Sequence, residues 1–202
     1  HYAALAGADL AGALLGNAAV DGIKAHNPAA CPATLPAQWA CISNTLLGPG
    51  ADLSGVNLSG ANLAGVNLEG ANLTGTNLSG ANLTNANLNI VDLIDTNLAG
   101  AMLDGASLYS RDVTNLQLQN ASLINSTVML RVNGADMAGA NLSGADLYGS
   151  DITGLVNCPA QLPADWHCVN GVLLGPHARF DDPVDLTGVN LNGVKLIGIN
   201  MY

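Results

Sequence analysis

Four cysteines are the side chains most able to do chemistry in this sequence of 202 residues. Cys31 and Cys41 have nine residues between them, and Cys158 and Cys168 repeat that spacing. Zinc motifs place their paired cysteines about two to four residues apart. The spacing therefore favours two local disulfides, Cys31–Cys41 and Cys158–Cys168, over a metal site.

A zinc site is the alternative use of these cysteines. His26 and His167 lie close to them in sequence, and a Cys2His2 site needs two residues of each type. Because the cysteine spacing is wrong for zinc, we predict no metal and no cofactor.

Enzyme motifs are absent. The sequence has no glycine-rich phosphate loop, no HExxH and no GxSxG. The four histidines share no motif, and the aspartates recur at turn positions, where they favour local backbone hydrogen bonds. We therefore predict that the protein is not an enzyme and has no catalytic residues.

The backbone elements that must position these residues are built from a repeat of five residues. From Ala51 to Leu130 the chain reads ADLSG VNLSG ANLAG and so on, for 16 consecutive units. The centre of each unit is Leu or Val, the first residue is small or β-branched, Asn or Asp lies between them, and Gly often closes the unit. A period of five fits neither a helix nor a strand.

A chain that turns a corner after each unit accounts for this period. Four units then close a square coil of 20 residues, and the next coil stacks at the strand spacing of about 4.8 Å. The central and first residues point inward, and the first must be small because four side chains converge on a narrow axis. Asn or Asp suits the corner, and Gly suits a position with positive φ.

The repeat resembles the pentapeptide-repeat family, which implies an all-β fold, the right-handed quadrilateral β-solenoid. We expect residues 1–202 to form one solenoid domain of about seven coils and ~35 Å. The predicted repeats are 3–27, 51–130, 135–154 and 178–202, and the predicted inserts are 28–50 and 155–177.

Several residues depart from the pattern. Arg111 falls in an inward slot for a small residue, and Leu116 and Ile199 are large for theirs. Residues 131–134 break the phase, because four residues stand where a unit has five. We predict a bulge or local loop there.

The two inserts share one motif at a constant offset of 127 residues, which indicates an internal duplication. Each contains a cysteine pair, two prolines and a tryptophan, followed by Leu-Leu-Gly-Pro. We predict stiff excursions from the same edge of the solenoid, with Trp39 and Trp166 over one of its faces. Because disulfides persist outside the cytosol, we expect an extracellular or cell-surface protein, with the periplasm as the alternative.

The charge and hydropathy of the chain argue against nucleic acid and membrane partners. The chain has five Lys and Arg against 15 Asp and Glu, a net charge of −10. Five dispersed cations cannot neutralise a phosphate backbone, so we expect no nucleic acid partner. No apolar run is long enough to insert into a membrane.

Outward positions carry some large apolar residues, which suggest a contact face. Counting coils places Ile90, Tyr109, Met129 and Leu130 on one face, and Ile124 and Tyr148 on its neighbour. The alternative is that irregular units cover them.

The function predicted is structural. The repeats run from near Ala3 to Met201 with no capping element, so end-to-end stacking of subunits into an extracellular fibre would cover the open edges. The predicted assembly interface comprises Tyr2, Leu5, Leu10, Leu196, Ile199, Met201 and Tyr202. The alternatives are a soluble scaffold for another protein and, as the resemblance implies for acidic members of the family, a DNA mimic that binds gyrase.

Overall fold

Each five-residue unit forms one side of a four-sided coil, and successive coils stack in parallel. In the computed structural model Asp52 pairs with Asn72, one coil of twenty residues further along. The other three sides start with the equally regular pairs Asn57–Asn77, Asn62–Asn82 and Asn67–Asn87. The predicted quadrilateral β-solenoid is therefore confirmed.

The structure describes residues 5, 7–20, 22–24 and 28–201, and this part of the chain contains strands but no helix. The strands are β1 (Ala40–Ile42), β2 (Thr45–Leu47), β3 (Asn87–Asn89), β4 (Ser107–Thr114), β5 (Thr127–Asn133), β6 (Asp151–Thr153), β7 (His167–Val169), β8 (Val172–Leu174), β9 (Arg179–Phe180) and β10 (Asn200–Met201). Strands β3 to β6 form a parallel sheet in that order, β9 and β10 pair in parallel, and β1–β2 and β7–β8 are antiparallel hairpins. Within the described ranges, no helix long and apolar enough to cross a membrane is found.

The core is a column of leucines along the axis. The central leucines from Leu53 to Leu123 are all buried, as are nearly all of the small residues two positions before them. Where the small residue is Thr76, its hydroxyl donates to the carbonyl oxygen of Leu53 at 2.7 Å, so the buried polar group is satisfied. Each coil thus buries its own leucines against those of the coils on either side.

The corners lie at the fourth and fifth residues of the units, and Asn or Asp is the second residue, on the flat side before the central Leu. Asn57 Oδ1 accepts from the N–H of Ser59 at 3.2 Å, which stabilises the turn. Asn82 Nδ2 donates at 3.2 Å to Asn62 Oδ1 in the preceding coil. The predicted bond to nearby backbone is present, but these residues also tie the coils together.

The register of the sheet shifts by one residue between Ser110 and Val113 of β4, and this changes the position of Arg111. The regular phase predicts Arg111 and Val113 in inward slots, but Ser110 is buried in place of Arg111, which is exposed, while Val113 is buried as expected. A guanidinium inside an apolar column would lose its hydration without a partner, so the strand turns it outward. Leu116, in contrast, is accommodated and fully buried.

The four-residue break at 131–134 is not a loop. Residues 131–133 complete β5, and Gly134 makes the corner with a φ of 86°. The coil is one residue short, since Gln117 pairs with Asp136, and the register shift in β4 absorbs the difference. The irregularity was therefore predicted, but it lies within paired strands.

The two inserts are enlarged coils and not excursions from the solenoid, which corrects the prediction. Ala30 pairs in parallel with Asp9, and Asn157 pairs in the same way with Asp136. Each insert thus begins by continuing the ladder of the preceding coil. The hairpins β1–β2 and β7–β8 follow before the chain rejoins the regular side.

Both enlarged coils begin and end on the same side of the solenoid, as predicted. The first returns where the Asp52 N–H donates to Ile23 O, and the second returns where the Arg179 N–H donates to Ser150 O. Strands β4, β5 and β6 form part of the column that joins these two points.

Candidate interaction surfaces

Each enlarged coil is closed by a disulfide. Cys31 bonds to Cys41 and Cys158 to Cys168, with Cα atoms 5.9 and 6.0 Å apart, and no cysteine is free. The disulfide prediction is confirmed, and it removes the thiolates that a zinc site would need. No cluster of metal-ligating side chains occurs among the described residues, which do not include His26.

The tryptophans pack inside the enlarged coils and against the leucine core. Trp166 is buried within the main core, and Trp39 is partly buried between it and a smaller cluster at the N-terminal end. Each ring lies directly against a glycine of the Leu-Leu-Gly-Pro segment, Gly48 or Gly175. A Cβ at either glycine would overlap the ring, which explains why glycine occupies both positions.

The predicted apolar face is only partly outward. Ile90 is 62% exposed and Met129 is also exposed, whereas Tyr109 is half-buried. The prediction that Leu130 is an exposed contact residue is wrong, because its side chain is 1% exposed. It belongs to β5, whose strict alternation of exposed and buried residues turns Leu130 inward.

Tyr148 lies in the same column as Met129, not beside Ile124. The short coil pairs Thr127 with Asp146, so Tyr148 falls one coil beyond Met129. Ile124 is half-buried, and its neighbour Asn125 donates its N–H to Ser143 O in the next coil.

We call this series the Tyr109 column: Tyr109, Met129, Tyr148 and His177. Tyr109 pairs with Met129 in the sheet, and the rings of Tyr148 and His177 lie 4.9 Å apart. With Tyr148 58% exposed, the column presents apolar and aromatic surface to solvent.

The predicted assembly interface is described only in part. Leu5, Leu10, Leu196 and Ile199 are half-buried. Tyr2 and Tyr202 lie outside the described residues, and so does the side chain of Met201.

The inward residues of the last described coil are less buried than those of earlier coils. Its apolar residues pack against the core but are only partly buried, unlike their counterparts further back. They line an apolar cleft of about 220 Å³, whose lining includes Leu174, Phe180, Val184, Leu186, Leu196 and Ile199.

Among the described residues four aspartates have a shifted pKa, which is raised for Asp151 and lowered for Asp52, Asp136 and Asp185. Burial raises the pKa of Asp151, the hydrogen bond from the Asp181 N–H opposes this shift, and the charge of Asp181 adds to it. Burial also acts to raise the pKa of Asp52, but hydrogen bonds from Ser54 and the ammonium of Lys24, 3.6 Å away, lower it overall.

Three of the five Lys and Arg side chains lie close together, so the prediction that these cations are dispersed is wrong. Arg111, Arg131 and Arg179 line a single cleft next to the Tyr109 column. The sequence contains one signal for this cluster: Arg111 and Arg131 are 20 residues apart, which is the length of one coil. Arg179 could not be placed in this way, because the enlarged coil before it breaks the period.

The sequence matches a known family model. The model for pentapeptide repeats matches residues 51–89 and 131–154 in eight copies. None of the curated proteins has a significantly matching sequence.

Several solved structures are similar. HetL, a pentapeptide repeat protein involved in heterocyst differentiation regulation in the cyanobacterium Nostoc, is 27% identical over 54% of this chain and 60% of its own, with a TM-score of 0.34. The present chain thus spans less than two thirds of HetL. A pentapeptide repeat protein from the thylakoid lumen of Arabidopsis thaliana is 27% identical over 53% of this chain and 68% of its own, with a TM-score of 0.28. QnrB1, a plasmid-mediated fluoroquinolone resistance protein, is 19% identical over 74% of this chain and 77% of its own, with a TM-score of 0.30.

The five-residue unit, the four-sided coil that it builds and the match to the family model agree with one another. On this basis residues 51–89 and 131–154 are pentapeptide repeats, and the chain resembles the pentapeptide-repeat proteins in its fold.

Proposed function

We propose that this chain is a non-enzymatic structural protein that is exported and stacks end to end into a fibre. The observation that supports the proposal is the apolar cleft among the partly buried residues of the last described coil. Leu191 and Leu196 occupy the same central slot as Leu73, yet they are half-buried where Leu73 is fully buried.

A second copy of the chain is the partner that we propose for this surface, on the following grounds. A solenoid coil presents inward leucines and unpaired backbone groups on its open side, and another coil offers the matching leucines and partners. At the opposite end Leu5 and Leu10 are also half-buried, so a head-to-tail contact would bury apolar residues from both copies. A contact of this kind repeats without closing and produces a filament.

Export is supported by the two disulfides, because such bonds are stable outside the reducing cytosol. Every cysteine of the chain takes part in one of them.

A charged substitution in the open cleft tests the proposal. Leu186→Lys with Leu196→Lys places two ammonium groups in the proposed junction, where burial of the charges would be costly. Ile197→Lys is the matched control, since Ile197 neighbours Leu196 but is exposed. We expect the unmodified protein and the control to form fibres in electron micrographs, and the double variant to remain a folded monomer.

Sedimentation decides against the fibre if the unmodified protein is a monomer at micromolar concentrations and micrographs show no filaments. Equal assembly of the double variant would also contradict the proposed junction. The redox state of the cysteines tests export separately from assembly. If the protein isolated from its native source has reduced cysteines, the proposal that it is exported is wrong.

A soluble scaffold is the second candidate, and the exposed Tyr109 column favours it. A partner that binds this column would protect Met129 and Tyr148 from solvent, without any need for open ends. A DNA mimic has less support, because three arginines on one face interrupt the acidic surface that such a role requires.

A further inference from the structure

Three arginines gather on the face formed by β4, β5 and β9. Arg111, Arg131 and Arg179 line one cleft of about 300 Å³. The whole chain contains five Lys and Arg against 15 Asp and Glu. More than half of its basic side chains therefore lie around one small volume, in a protein whose net charge is −10.

The backbone directs all three side chains outward. Arg111 lies at the register shift of β4, and Arg131 is an exposed position of the alternating strand β5. Arg179 is exposed in β9 and precedes the buried Phe180. The cluster thus follows from strand geometry and not from flexible loops.

Asp181 orients two of the guanidinium groups. Arg179 Nε donates to Asp181 Oδ1 at 2.6 Å, and Arg131 Nη1 lies 3.5 Å from Asp181 Oδ2. The N–H of Asp181 donates in turn to Asp151 Oδ2 at 3.0 Å, and Asp151 is 5% exposed. A buried carboxylate therefore anchors the residue that holds the two arginines.

The third guanidinium is oriented by an aromatic ring. Arg111 Nε donates to the hydroxyl of Tyr109 at 2.8 Å, and the guanidinium carbon lies 5.9 Å from the ring centroid. This bond uses one of the five N–H donors of a guanidinium, and the terminal nitrogens carry the other four.

The lining of the cleft combines charge with apolar surface. Its three arginines outnumber its two aspartates, Asp151 and Asp181, so the cleft carries a net positive charge when all are ionised. Met129 and Tyr109 contribute apolar surface beside the charges. The volume is at the lower end of the range for small-molecule sites and exceeds the needs of a bare ion.

We propose that this cleft binds a small organic oxoanion, a carboxylate or a phosphate ester attached to a compact apolar body. Both groups match the planar fork of arginine donors, which binds two oxygens at once. The anionic group lies between Arg111 and Arg131, and the apolar body lies against Met129 and Tyr109. This site is independent of the end-to-end contact proposed above.

Titration calorimetry with phenyl phosphate and with benzoate tests the site, with inorganic phosphate as the probe for a bare ion. We expect saturable binding of at least one organic anion with a Kd on the order of 1 mM or lower, and weaker binding of inorganic phosphate. Arg111→Gln should weaken that binding about tenfold or more, which is the loss of roughly one charged hydrogen bond. Arg131→Gln should act in the same direction.

Lys195→Gln is the matched control, because Lys195 pairs with Asp165 at 2.9 Å and is not part of the cleft lining. It should bind like the unmodified protein. The proposal is overturned if neither organic anion binds, if inorganic phosphate binds as tightly as phenyl phosphate, or if Arg111→Gln binds unchanged. Arg111 is exposed, so circular dichroism of its variant should match that of the unmodified protein.

Discussion

Removing one leucine from the column should lower the free energy of unfolding by very different amounts in the middle of the solenoid and in the last described coil. Leu73 and Leu191 occupy the same slot of the repeat, and only their burial differs. Leu73 is 0% exposed, whereas Leu191 is half-buried. The pair therefore isolates the effect of packing from that of residue type.

The free energies follow from burial. Leu73→Ala removes a fully packed side chain and leaves a cavity between coils, which lowers the free energy of unfolding by about 3–4 kcal/mol. Leu191→Ala removes a side chain that water already reaches, so its loss is about 1 kcal/mol. Because each coil contacts only its neighbours, the second change should remain local to the end of the solenoid.

Urea denaturation of dilute, unassembled protein, followed by circular dichroism, measures the difference. With a slope of about 2 kcal/mol per molar, Leu73→Ala should move the midpoint down by about 1–2 M, and Leu191→Ala by well under 1 M. Equal shifts for the two variants would refute the reasoning, because the last coil would then be packed as tightly as the interior. A Leu73→Ala shift no larger than that of Leu191→Ala would also refute the assignment of Leu73 to the core.

Three further changes have defined outcomes. Replacing Cys158 and Cys168 together by Ser should lower the free energy of unfolding by about 2–3 kcal/mol in the same urea assay. Gly175→Ala should destabilise by about 1–3 kcal/mol or more, seen as a lower melting temperature, because the new methyl group overlaps the Trp166 ring. Asp151→Asn should raise stability at pH 7, since a raised folded-state pKa means that the ionised carboxylate opposes folding. That gain should disappear as the pH falls through the folded-state pKa to the ordinary value of 3.8.

The controls for these changes also come from the chain. Gly60→Ala meets no atom within 4 Å but has a φ of 66°, so it should cost only the backbone strain of about 1–2 kcal/mol. If the cysteine variant were as stable as the unmodified protein, the disulfide would not constrain the unfolded chain. If the Asp151→Asn gain were the same at pH 7 and at pH 3, its cause would not be ionisation.

The regular coils could be predicted from the sequence because each unit repeats the same local solution. Leu73 and its equivalents, the small residues before them and the turn glycines were assigned correctly from their period alone. A repeat of this kind needs no knowledge of distant contacts, since the neighbour of every unit lies one coil away in sequence.

The irregular positions could not be predicted by extending that period. Arg111 and Leu130 were assigned to the wrong side because a one-residue register shift in β4 and the long strand β5 change which residues point inward. No repeat is visible in the inserts, so the sequence predicts excursions, although Ala30 and Asn157 still pair as ladder residues. The arginine cleft was missed because its members belong to three different coils.

The two enlarged coils have a fixed orientation relative to each other about the axis of the solenoid. Because both coils return to the solenoid on the same side, their hairpins lie at the same angular position about the axis. Insertion or deletion of a whole four-unit coil between them would change only the distance that separates the hairpins. Deletion of a single five-residue unit would instead rotate one hairpin by about a quarter turn relative to the other. Natural variants of this chain should therefore differ in length by multiples of one coil if a single partner contacts both hairpins.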